Sequence, residues 1–506
     1  MKLSQILYRG EYSAAVDPQE IDFTHIITHT AELSHGSLFV CLRGIRYDSH
    51  TLIKIAEERG AAAVIAEESA ILPPDISVPI FRVPNTRRIL AFLYSRFCGD
   101  PQNELCMIGV TGTNGKTSTA TVLYSILRSL GYNCALIGTA ECLFGDTVYT
   151  LPEESNGHDR LRTMTTPDPD ILYPMLRMMK DAKITHVVME VSSHALALDK
   201  VAPIFFEIGI FTNLSAEHMD FHTDMRSYML AKAKLFSLCR TGIFNCDNKY
   251  AEDIIAISSC RPLRAGIVRQ GDFRATDIAL RGVRGTSYSY HAPGVRLRIH
   301  TTLPGTFSVY NTLLALTAAI ELGASPLDAA KALASPIRIP GRMERLPIED
   351  AGFSVFIDYA HTEHALRSLL TTVRSFRHGN ERIVILFGCG GDRDRQKRAP
   401  MGRAAEELAD LVIVTSDNPR SENPDSIIAD IVAGMTAPGK HLVIKSRRRA
   451  IEHAILNAKD GDIIILAGKG HETYEITANG VRQFDERKIV KAALEKRKKG
   501  DTVNEN

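Results

Sequence analysis

The chain has 506 residues, of which 44% are hydrophobic and 24% are charged, and its formal net charge is +1. That length is too great for one hydrophobic core, and at about 100–200 residues per domain it predicts two to four domains. The nearly balanced charge gives no overall field that would attract nucleic acid or an anionic membrane, so we expect neither as a partner. No apolar run reaches the roughly 18 residues that a membrane-spanning helix needs.

The N-terminal segment and the cysteines indicate a cytoplasmic protein. The first residues, "MKLSQILYRGEYSAAVDPQEID", lack the long apolar segment of a signal peptide. Nine cysteines are scattered along the chain, and no two of them have the C-x-x-C spacing. We therefore expect reduced thiols in a cytoplasmic protein.

Residues 1–100 are predicted to form a small N-terminal α/β domain. The short apolar runs "SLFVCL", "AAAVIA" and "PIFRV" alternate with helix-like stretches such as "HTLIKIAEERG". The stretch "FCGDPQNEL" follows, and its glycine and proline are typical of a linker.

Residues 101–338 are predicted to form a central domain. The apolar runs "CMIGV", "HVVME" and "IGIFTN" are each followed by a loop and a helix-like pattern. Alternation of strand and helix predicts a mostly parallel sheet that is covered by helices on both faces. The stretch "ASPIRIPGRME" carries two prolines and a glycine and fits a second linker.

Residues 339–506 repeat the alternation and are predicted to form a C-terminal Rossmann-like α/β domain. The apolar runs are "FSVFIDYA", "RIVILFGCGG", "DLVIVTSDNPR", "HLVIKS" and "DIIILAGKG", and each ends in a polar or glycine-rich loop. In open α/β sheets, ligands bind at those carboxyl ends. The predicted fold class is thus α/β with three domains.

The stretch "VTGTNGKTST", residues 110–119, indicates a phosphate-binding loop in the central domain. The pattern G-x-x-x-x-G-K-[ST] requires a glycine where this chain has Val110, but the loop follows a strand and precedes a helix-like run. Helix N-termini in that context favour phosphate oxygens. Lys116 can then reach the β- and γ-phosphates, and the Thr117 hydroxyl can bind Mg²⁺. The alternative is a structural glycine turn.

Two further segments offer ligands for a metal ion. Glu190 directly follows the apolar run "HVVM", where a P-loop ATPase needs a carboxylate for Mg²⁺. The loop "FTNLSAEHMDFH" adds His218, Asp220 and His222. A buried or capping glutamate and an ordinary polar loop are the alternatives. In "YMLAKAKLF", the helical pattern puts Lys232 and Lys234 on a solvated face.

Ten segments that occur in one order along the chain resemble those of the Mur ligases, and within this family those of the UDP-N-acetylmuramoyl-tripeptide synthetases. They are "TGTNGKT", "EVSSHAL", "TNLSAEHMDFH", "YMLAKAKLF", "YNTLLALTAA", "IPGRME", "IDYAHT", "GCGGDRDRQKR", "SDNPR" and "AGKGHE". In this family the phosphate loop has the shorter T-G-T-N-G-K-T form, so Val110 is ordinary there.

The resemblance implies an ATP-dependent amide ligase of peptidoglycan precursor synthesis. ATP phosphorylates a carboxylate, and an amine then displaces phosphate from the acyl phosphate. The carboxylate is the γ-carboxyl of D-glutamate in UDP-MurNAc-L-Ala-D-Glu, and the amine is a diamino acid. The resemblance implies small-molecule substrates and no macromolecular partner, and we expect a monomer. The three domains would bind the UDP-sugar, ATP and the amino acid, in that order.

The resemblance also implies ATP- and metal-binding residues. The ATP-binding positions are Gly112, Thr113, Asn114, Gly115, Lys116, Thr117, Ser118, Asn311, Arg342 and Asp358. Lys116, Glu190, His218 and Lys232 match catalytic positions, and Mg²⁺ would be held by Thr117, Glu190, His218 and Lys232. Lys232 matches a carbamylated lysine, whose anionic oxygens suit this hard cation. Arg342 lies in the second predicted linker and Asp358 in the third predicted domain, and their place across the boundary implies that domain closure assembles the site.

The positions that match UDP-sugar-peptide ligands are Thr30, Thr165, Thr166, Ser192 and Lys200. Three departures from the family pattern occur here. Leu198 and Lys200 stand where glutamine and arginine are frequent, and Thr30 stands for a serine with no arginine after it. Lys200 keeps the charge but not the bidentate geometry of arginine.

The positions that match ligands of the added amino acid are Arg393, Asp417, Asn418, Pro419, Arg420, Gly468 and Glu472. The motif D-N-P-R is carried by the family's meso-diaminopimelate enzymes. This substrate differs from lysine by a distal carboxylate, and an arginine fork is the natural group to bind it. Glu472 can pair with the ammonium group. We favour meso-diaminopimelate, and L-lysine or ornithine remains the alternative.

Other functions explain fewer of these residues. A sister ligase that adds D-Ala-D-Ala or glutamate, or that acts on folate, would not need "DNPR" and "GKGHE". A nucleotide-dependent switch would explain Lys116 and Thr117 but not His218, Lys232 or Arg420. A cyanophycin-type synthetase needs a further N-terminal ATP-binding module, and residues 1–100 are too few to form one.

Overall fold

The computed structural model describes residues 1–44, 47–149, 165–219, 221–348, 351–375, 377, 379, 381–437 and 439–499. The chain divides into two compact units, Met1–Asp272 and Phe273–Asn506. The predicted domain boundaries after residues 100 and 338 remain predictions. Within the described residues, no helix combines the length and the apolar character that crossing a membrane requires.

The first unit contains two sheets and their helices. Its strands are β1 (Ile26–Ile27), β2 (Leu38–Val40), β3 (Ala63–Glu67), β4 (Ile80–Val83), β5 (Cys106–Thr111), β6 (Cys134–Ile137), β7 (Cys142–Phe144), β8 (Thr147–Val148), β9 (His186–Glu190), β10 (Phe206–Phe211), β11 (Cys239–Asn245) and β12 (Arg261–Gly266). Its helices are α1 (Ile53–Glu58), α2 (Thr86–Phe97), α3 (Lys116–Ser129), α4 (Pro169–Asp181), α5 (Ser193–Ala197), α6 (Met225–Ala233) and α7 (Ala251–Ala256).

The N-terminal sheet of this unit has the order β1-β2-β3-β4, and all its strands are parallel. Both faces of β3 are buried, and α2 packs its apolar side, including Leu90 and Leu93, into the same core. The predicted α/β alternation of this segment is confirmed.

The larger sheet of the first unit has the order β12-β11-β10-β5-β9-β6-β7-β8. The strands from β12 to β6 that pair with one another are parallel, and β7 and β8 add an antiparallel edge. The central strands are continuous apolar runs because helices cover both faces. The carboxyl ends of β5, β9 and β10 therefore meet at one edge, and the loops after them face the same space.

The second unit contains an antiparallel meander, a second sheet and a hairpin. Its strands are β13 (Phe273–Leu280), β14 (Thr286–Ala292), β15 (Val295–Thr301), β16 (Glu344–Arg345), β17 (Ser354–Asp358), β18 (Ile383–Phe387), β19 (Leu411–Val414), β20 (His441–Val443), β21 (Ile463–Ala467), β22 (Tyr474–Thr477) and β23 (Gly480–Gln483). Its helices are α8 (Thr306–Glu321), α9 (Pro326–Ala334), α10 (Glu363–Ser375), α11 (Arg398–Leu408), α12 (Pro424–Val432), α13 (Arg447–Leu456) and α14 (Glu486–Lys498).

The second sheet has the order β16-β17-β21-β18-β19-β20, and all its pairs except β16–β17 are parallel. The five predicted strands are confirmed, and so is the Rossmann-like alternation. The loops after β18, β19 and β21 meet at the carboxyl edge, where open α/β sheets bind ligands. The antiparallel meander β13-β14-β15 was not predicted.

Candidate active site

The phosphate loop joins β5 to α3, as the sequence predicts. Gly112 and Gly115 have positive φ values of 151° and 84°. A Cβ on Gly112 would lie 1.9 Å from Thr212 Oγ1, so no other residue fits without displacing the neighbouring loop. The first-turn amides of α3 have no acceptor within the helix, and the helix dipole adds positive potential there. This arrangement can bind phosphate oxygens.

The loop after β10 holds the phosphate loop in place. Thr113 N donates to Asn213 O at 2.8 Å, and Asn114 N donates to Asn213 Oδ1 at 3.0 Å. Thr212 Oγ1 donates to Asn114 O at 2.6 Å. Lys116 Nζ donates to the carbonyls of Gly112 at 3.1 Å and Thr113 at 2.9 Å, so its ammonium group lies over the loop. Ser118 is buried in the first turn of α3.

Glu190, at the end of β9, is the carboxylate next to this loop. It is 1% exposed, and its Oε2 accepts from Thr117 Oγ1 at 3.0 Å. Thr139 N donates to Glu190 Oε1 at 2.8 Å. Thr117 and Glu190 are thus brought together, as a shared magnesium site requires.

Three predicted substrate residues are joined by hydrogen bonds to the carboxyl end of β9. Thr139 Oγ1 is 3.0 Å from Thr165 Oγ1. Thr166 Oγ1 donates to Glu190 O at 2.9 Å, and Ser192 N donates to Thr166 Oγ1 at 3.0 Å. These three residues and the predicted metal residues Thr117 and Glu190 therefore belong to one hydrogen-bond network.

Lys232 does not lie on a solvated face, and the interpretation of its helical pattern is wrong. The side chain is 1% exposed, and Nζ donates to Gly112 O at 2.7 Å and lies 4.6 Å from the centre of the Tyr228 ring. Burial, with a smaller contribution from the Lys116 cation, lowers the pKa of Lys232. The pattern does place Lys234 correctly, because that side chain is 46% exposed and pairs with Asp199 at 3.0 Å.

His218 and His222 form an aromatic group with Tyr228. The His218 ring centre is 6.3 Å from that of Tyr228, and His222 is 4.8 Å from it. His218 has a positive φ of 59°, and His222 Nε2 lies 3.0 Å from Ser193 Oγ. Asp220 lies outside the described residues. Among the residues that are described, no group of three or more His, Cys, Asp or Glu side chains is arranged to hold a metal ion.

Lys200 lines a cavity of ≈ 110 Å³ in the first unit. Its Nζ pairs with Asp168 Oδ1 at 2.6 Å, and Leu198 also lines the cavity. His29 lines the same cavity, and the carbonyl of the adjacent residue Thr30 accepts from Arg59 Nη1 at 2.6 Å. The structure thus brings Lys200 and the segment before Thr30 to one cavity.

Three predicted ATP-binding residues lie in the second unit. The carboxylate of Asp358, at the end of β17, accepts from Met343 N at 2.7 Å and Ala360 N at 2.8 Å. Burial raises the pKa of Asp358, and the nearby Arg342 guanidinium opposes that shift. Arg342 also lies 4.9 Å from the centre of the Tyr359 ring. Asn311 is buried within α8.

The loops after β19 and β21 build a buried polar cluster. Asn418 Nδ2 donates to Glu472 Oε2 at 2.8 Å, while Lys469 Nζ donates to Asn418 Oδ1 at 2.8 Å. Lys469 is 0% exposed and lies 3.8 Å from Asp417 Oδ1 and 3.6 Å from Glu472 Oε2. Burial raises the pKa of Glu472, and the Asp417 carboxylate adds to that shift. Burial alone would raise the pKa of Asp417, but Lys469 and Arg447 hold it below its ordinary value.

Arg420 lies near Glu472 and Asp417 of this cluster, and Arg393 lies near Arg420. Burial lowers the pKa of Arg420, and the neighbouring Arg393 cation lowers it further. Arg420 Nη1 donates to Gly391 O at 2.9 Å. Backbone clearance is tight here, because a Cβ on Gly391 would lie 2.0 Å from Pro419 O and one on Gly468 would lie 2.7 Å from Asp417 Oδ2. A cavity of ≈ 880 Å³ opens beside Pro419 and Arg420.

The structure adds three residues that sequence reasoning missed. Thr139 joins Glu190 to Thr165, Lys469 joins Asn418 to Glu472, and Arg447 supports Asp417 at 3.8 Å. Lys469 stands inside the quoted motif "AGKGHE", so that motif could have indicated it. Thr139 and Arg447 carry no comparable sequence signal.

Comparison with known proteins agrees with this geometry. The family description "Mur ligase middle domain" matches residues 110–319, and "Mur ligase, glutamate ligase domain" matches residues 341–470. A protein of Syntrophomonas wolfei named UDP-N-acetylmuramoyl-L-alanyl-D-glutamate--2,6-diaminopimelate ligase is 36% identical over 98% of this chain and 99% of its own length. The chain belongs to the Mur ligase family.

Other members of the family extend the comparison. A protein of the same name from Chlorobaculum tepidum is 39% identical over 93% of this chain and 92% of its own length. A solved structure with that ligase name has a TM-score of 0.68 and 27% identity, covering 99% of this chain and 100% of that one. The α/β architecture predicted from the sequence is therefore that of Mur ligases.

Proposed function

We propose that this chain is an ATP-dependent acid–amino-acid ligase that adds meso-diaminopimelate to the γ-carboxyl of D-glutamate in UDP-MurNAc-L-Ala-D-Glu. The observation that carries the proposal is the buried cluster of Asn418, Glu472 and Lys469 with Arg420 and Arg393 beside it. The names of the two relatives support the same reaction. The alternative is the same ligase with L-lysine or ornithine as the added amino acid.

The residues at the phosphate loop fit ATP and Mg²⁺. Gly112 leaves room for a close approach to the backbone, and Lys116 carries its charge directly over the loop. Thr117 and Glu190 present a hydroxyl and a carboxylate 3.0 Å apart, and hard cations prefer oxygen ligands. When bound, Mg²⁺ would neutralise negative charge on the transferred phosphoryl group. We propose that Asn311, Arg342 and Asp358 hold the rest of the nucleotide.

The residues of the phosphate loop and those around Glu190 suit the two steps of the reaction. The γ-carboxylate takes the terminal phosphoryl group of ATP, and Lys116 stabilises the charge on that group. Thr165, Thr166 and Ser192 position the peptide substrate because they share the hydrogen-bond network of Glu190. The amine then attacks the acyl phosphate, and phosphate leaves with the bonding electrons.

Lys232 and His218 are proposed to complete the metal site. The Lys232 amine is buried next to Gly112, so an uncharged or carbamylated form suits its surroundings better than an ammonium ion. Carbon dioxide adds to the amine with loss of one proton and produces an anion that can bind Mg²⁺ through oxygen. His218 would hold a second ion from the loop after β10.

The amine site distinguishes the candidate substrates by charge. Arg420 and Arg393 can bind the distal carboxylate of meso-diaminopimelate, while Glu472 pairs with its ammonium group. L-lysine lacks that carboxylate and would leave the partly buried Arg420 guanidinium without this partner, which is the basis for rejection. The proposed substrates, ATP and a UDP-linked precursor, place the reaction in the cytoplasm. We propose that the protein acts as a monomer.

Product mass tests the proposal. The protein is incubated with Mg²⁺–ATP, UDP-MurNAc-L-Ala-D-Glu and, in separate tubes, meso-diaminopimelate, L-lysine, ornithine and D-Ala-D-Ala. We expect a UDP-MurNAc-tripeptide only with meso-diaminopimelate. A product with lysine or ornithine would overturn the substrate assignment, and a product with D-Ala-D-Ala alone would overturn the reaction.

A further inference from the structure

Two cysteines of the first unit lie over one pair of glycines. Gly209 in β10 and Gly242 in β11 are register partners. A Cβ on Gly209 would lie 3.0 Å from Cys239 Sγ, and a Cβ on Gly242 would lie 2.6 Å from Cys260 Sγ. Register partners of neighbouring parallel strands are about 4.8 Å apart and point to the same face. Both sulfur atoms therefore occupy the hollow that the glycines leave on one face of the sheet.

The two thiols differ in their access to solvent. Cys239 is 4% exposed and belongs to the core that includes Phe236 and Phe244. Cys260 is only partly buried and directly precedes β12. A small solute can therefore reach Cys260 more readily than the buried Cys239.

The thiols also differ in acidity because a hydrogen bond joins them. A hydrogen bond with Cys239 lowers the pKa of Cys260 to about 7, and Ser258 contributes further. The same hydrogen bond, together with burial, raises the pKa of Cys239. The chain has nine cysteines, and all of them lie among the described residues. Within that set, Cys260 alone has a lowered pKa; burial raises the pKa of the partly exposed Cys98 to about 11.

We propose that Cys260 and Cys239 are an oxidation site at which a hydroperoxide converts the two thiols into a disulfide. Both residues stand at the amino ends of their strands, whereas the phosphate loop follows the carboxyl end of β5. The site is thus separate from the residues that the ligase reaction uses, and it does not depend on the proposed function.

The chemistry has two steps. The Cys260 thiolate attacks one oxygen of the hydroperoxide, the O–O bond breaks, and the other oxygen leaves as an alcohol, or as water from hydrogen peroxide, after taking the Cys260 proton. The Cys239 sulfur then attacks the sulfenic sulfur of Cys260. The S–S bond forms as the S–O bond breaks, and the hydroxyl leaves as water with the Cys239 proton. Two thiols lose two electrons, and the O–O bond gains them.

Peptide mapping of the full chain tests the proposal. The protein is treated with one equivalent of hydrogen peroxide at pH 7, blocked with an alkylating reagent and digested without reductant. We expect a Cys239–Cys260 cross-linked peptide that dithiothreitol separates. In Cys239→Ser, dimedone should label Cys260 as a sulfenic acid. Cys260→Ser should give no cross-link, while Cys98→Ser, which removes another partly exposed thiol, should leave the cross-link unchanged.

Alkylation kinetics give a second measurement on the wild-type chain. Iodoacetamide at pH 7 should modify Cys260 at least about ten times faster than Cys98, because the thiolate is the nucleophile. First oxidation at Cys98 or Cys106 would overturn the proposal. A sulfenic acid on wild-type Cys260 that persists without a disulfide would also overturn it.

Discussion

The carboxyl edges of the two sheets present different kinds of groups to a ligand. In the first unit, the phosphate loop is shaped by glycines and backbone amides with the Lys116 ammonium group over it, and Thr117 pairs a hydroxyl with the Glu190 carboxylate. In the second unit, the cluster around Asn418 carries buried charges of both signs, held by Lys469. The first edge suits phosphate, which many enzymes bind, while the second edge suits one particular amino-acid substrate. We therefore expect substitutions at the first edge to affect catalysis with any amine, and those at the second edge to affect amine choice.

The largest effect is expected from Lys232→Ala at the first edge. Removal of the buried group should lower kcat by about 10³-fold or more, because charge stabilisation during phosphoryl transfer is lost. Phosphate release with saturating substrates is the measurement, and small carboxylates such as acetate should restore part of the rate.

Lys234→Ala is the matched control for this variant. Lys234 lies two residues away, is largely solvated and pairs with Asp199, so its removal should leave kcat nearly unchanged. Full activity of Lys232→Ala would remove Lys232 from the catalytic site.

Arg420→Ala should give the next largest effect and test amine choice. We expect the KM for meso-diaminopimelate to rise by about 100-fold, since a partly buried charged hydrogen-bond partner is lost. The KM for ATP should change little because the phosphate loop is intact. Arg448→Ala, at an exposed arginine of the neighbouring cavity wall, is the control. An unchanged KM for the amino acid in Arg420→Ala would contradict the assignment.

Lys469→Met tests how the second edge is positioned. It leaves Asp417 and Glu472 without their shared cation, so the free energy of unfolding should fall by about 3 kcal/mol and the KM for the amino acid should rise by roughly tenfold. Chemical denaturation and initial rates check the two effects. Lys459→Met, at an exposed lysine, should change neither. Recovery of KM in Lys469→Arg would separate charge from packing, and a KM unaffected in Lys469→Met would rule out positioning through Asn418.

The smallest effect expected is a change in pH dependence. Burial and Asp417 raise the pKa of Glu472, so its protonation begins at a higher pH than for an ordinary glutamate. Because only the ionised form pairs with an ammonium group, the KM for the amino acid should rise as pH falls through that pKa. Lys469, Asn418 and Arg420 also face this carboxylate, and each of them opposes the rise of its pKa. In Glu472→Gln, the KM for the amino acid should be high at every pH and should not rise further as the pH falls. If the pH dependence of KM in this variant matched that of the wild-type protein, the role of Glu472 would be contradicted.

Much of the fold and part of the site could be predicted because they depend on local patterns. Buried parallel strands are continuous apolar runs, so "CMIGV", "HVVME" and "DIIILAGKG" indicated β5, β9 and β21 correctly. The phosphate loop could also be predicted, since its strand, glycines and helix are adjacent in the chain.

Contacts between segments that are distant in the sequence could not be predicted from local patterns. Helical spacing says which residues share a face of α6 but not which neighbour covers it, and the loop containing Gly112 buries Lys232. Lys469 and Asn418 are 51 positions apart, and only the parallel order of β19, β18 and β21 brings their loops together. The Cys239–Cys260 pair likewise depends on strand register.

A competition experiment tests the central claim that the second edge selects a distal carboxylate. Equal amounts of meso-diaminopimelate and L-lysine are mixed in one tube with Mg²⁺–ATP, UDP-MurNAc-L-Ala-D-Glu and the protein, and the two tripeptide masses are quantified. The structure predicts the diaminopimelate product almost alone, and a marked loss of that preference in Arg420→Ala. Equal yields from the wild-type protein, or an excess of the lysine product, would contradict it.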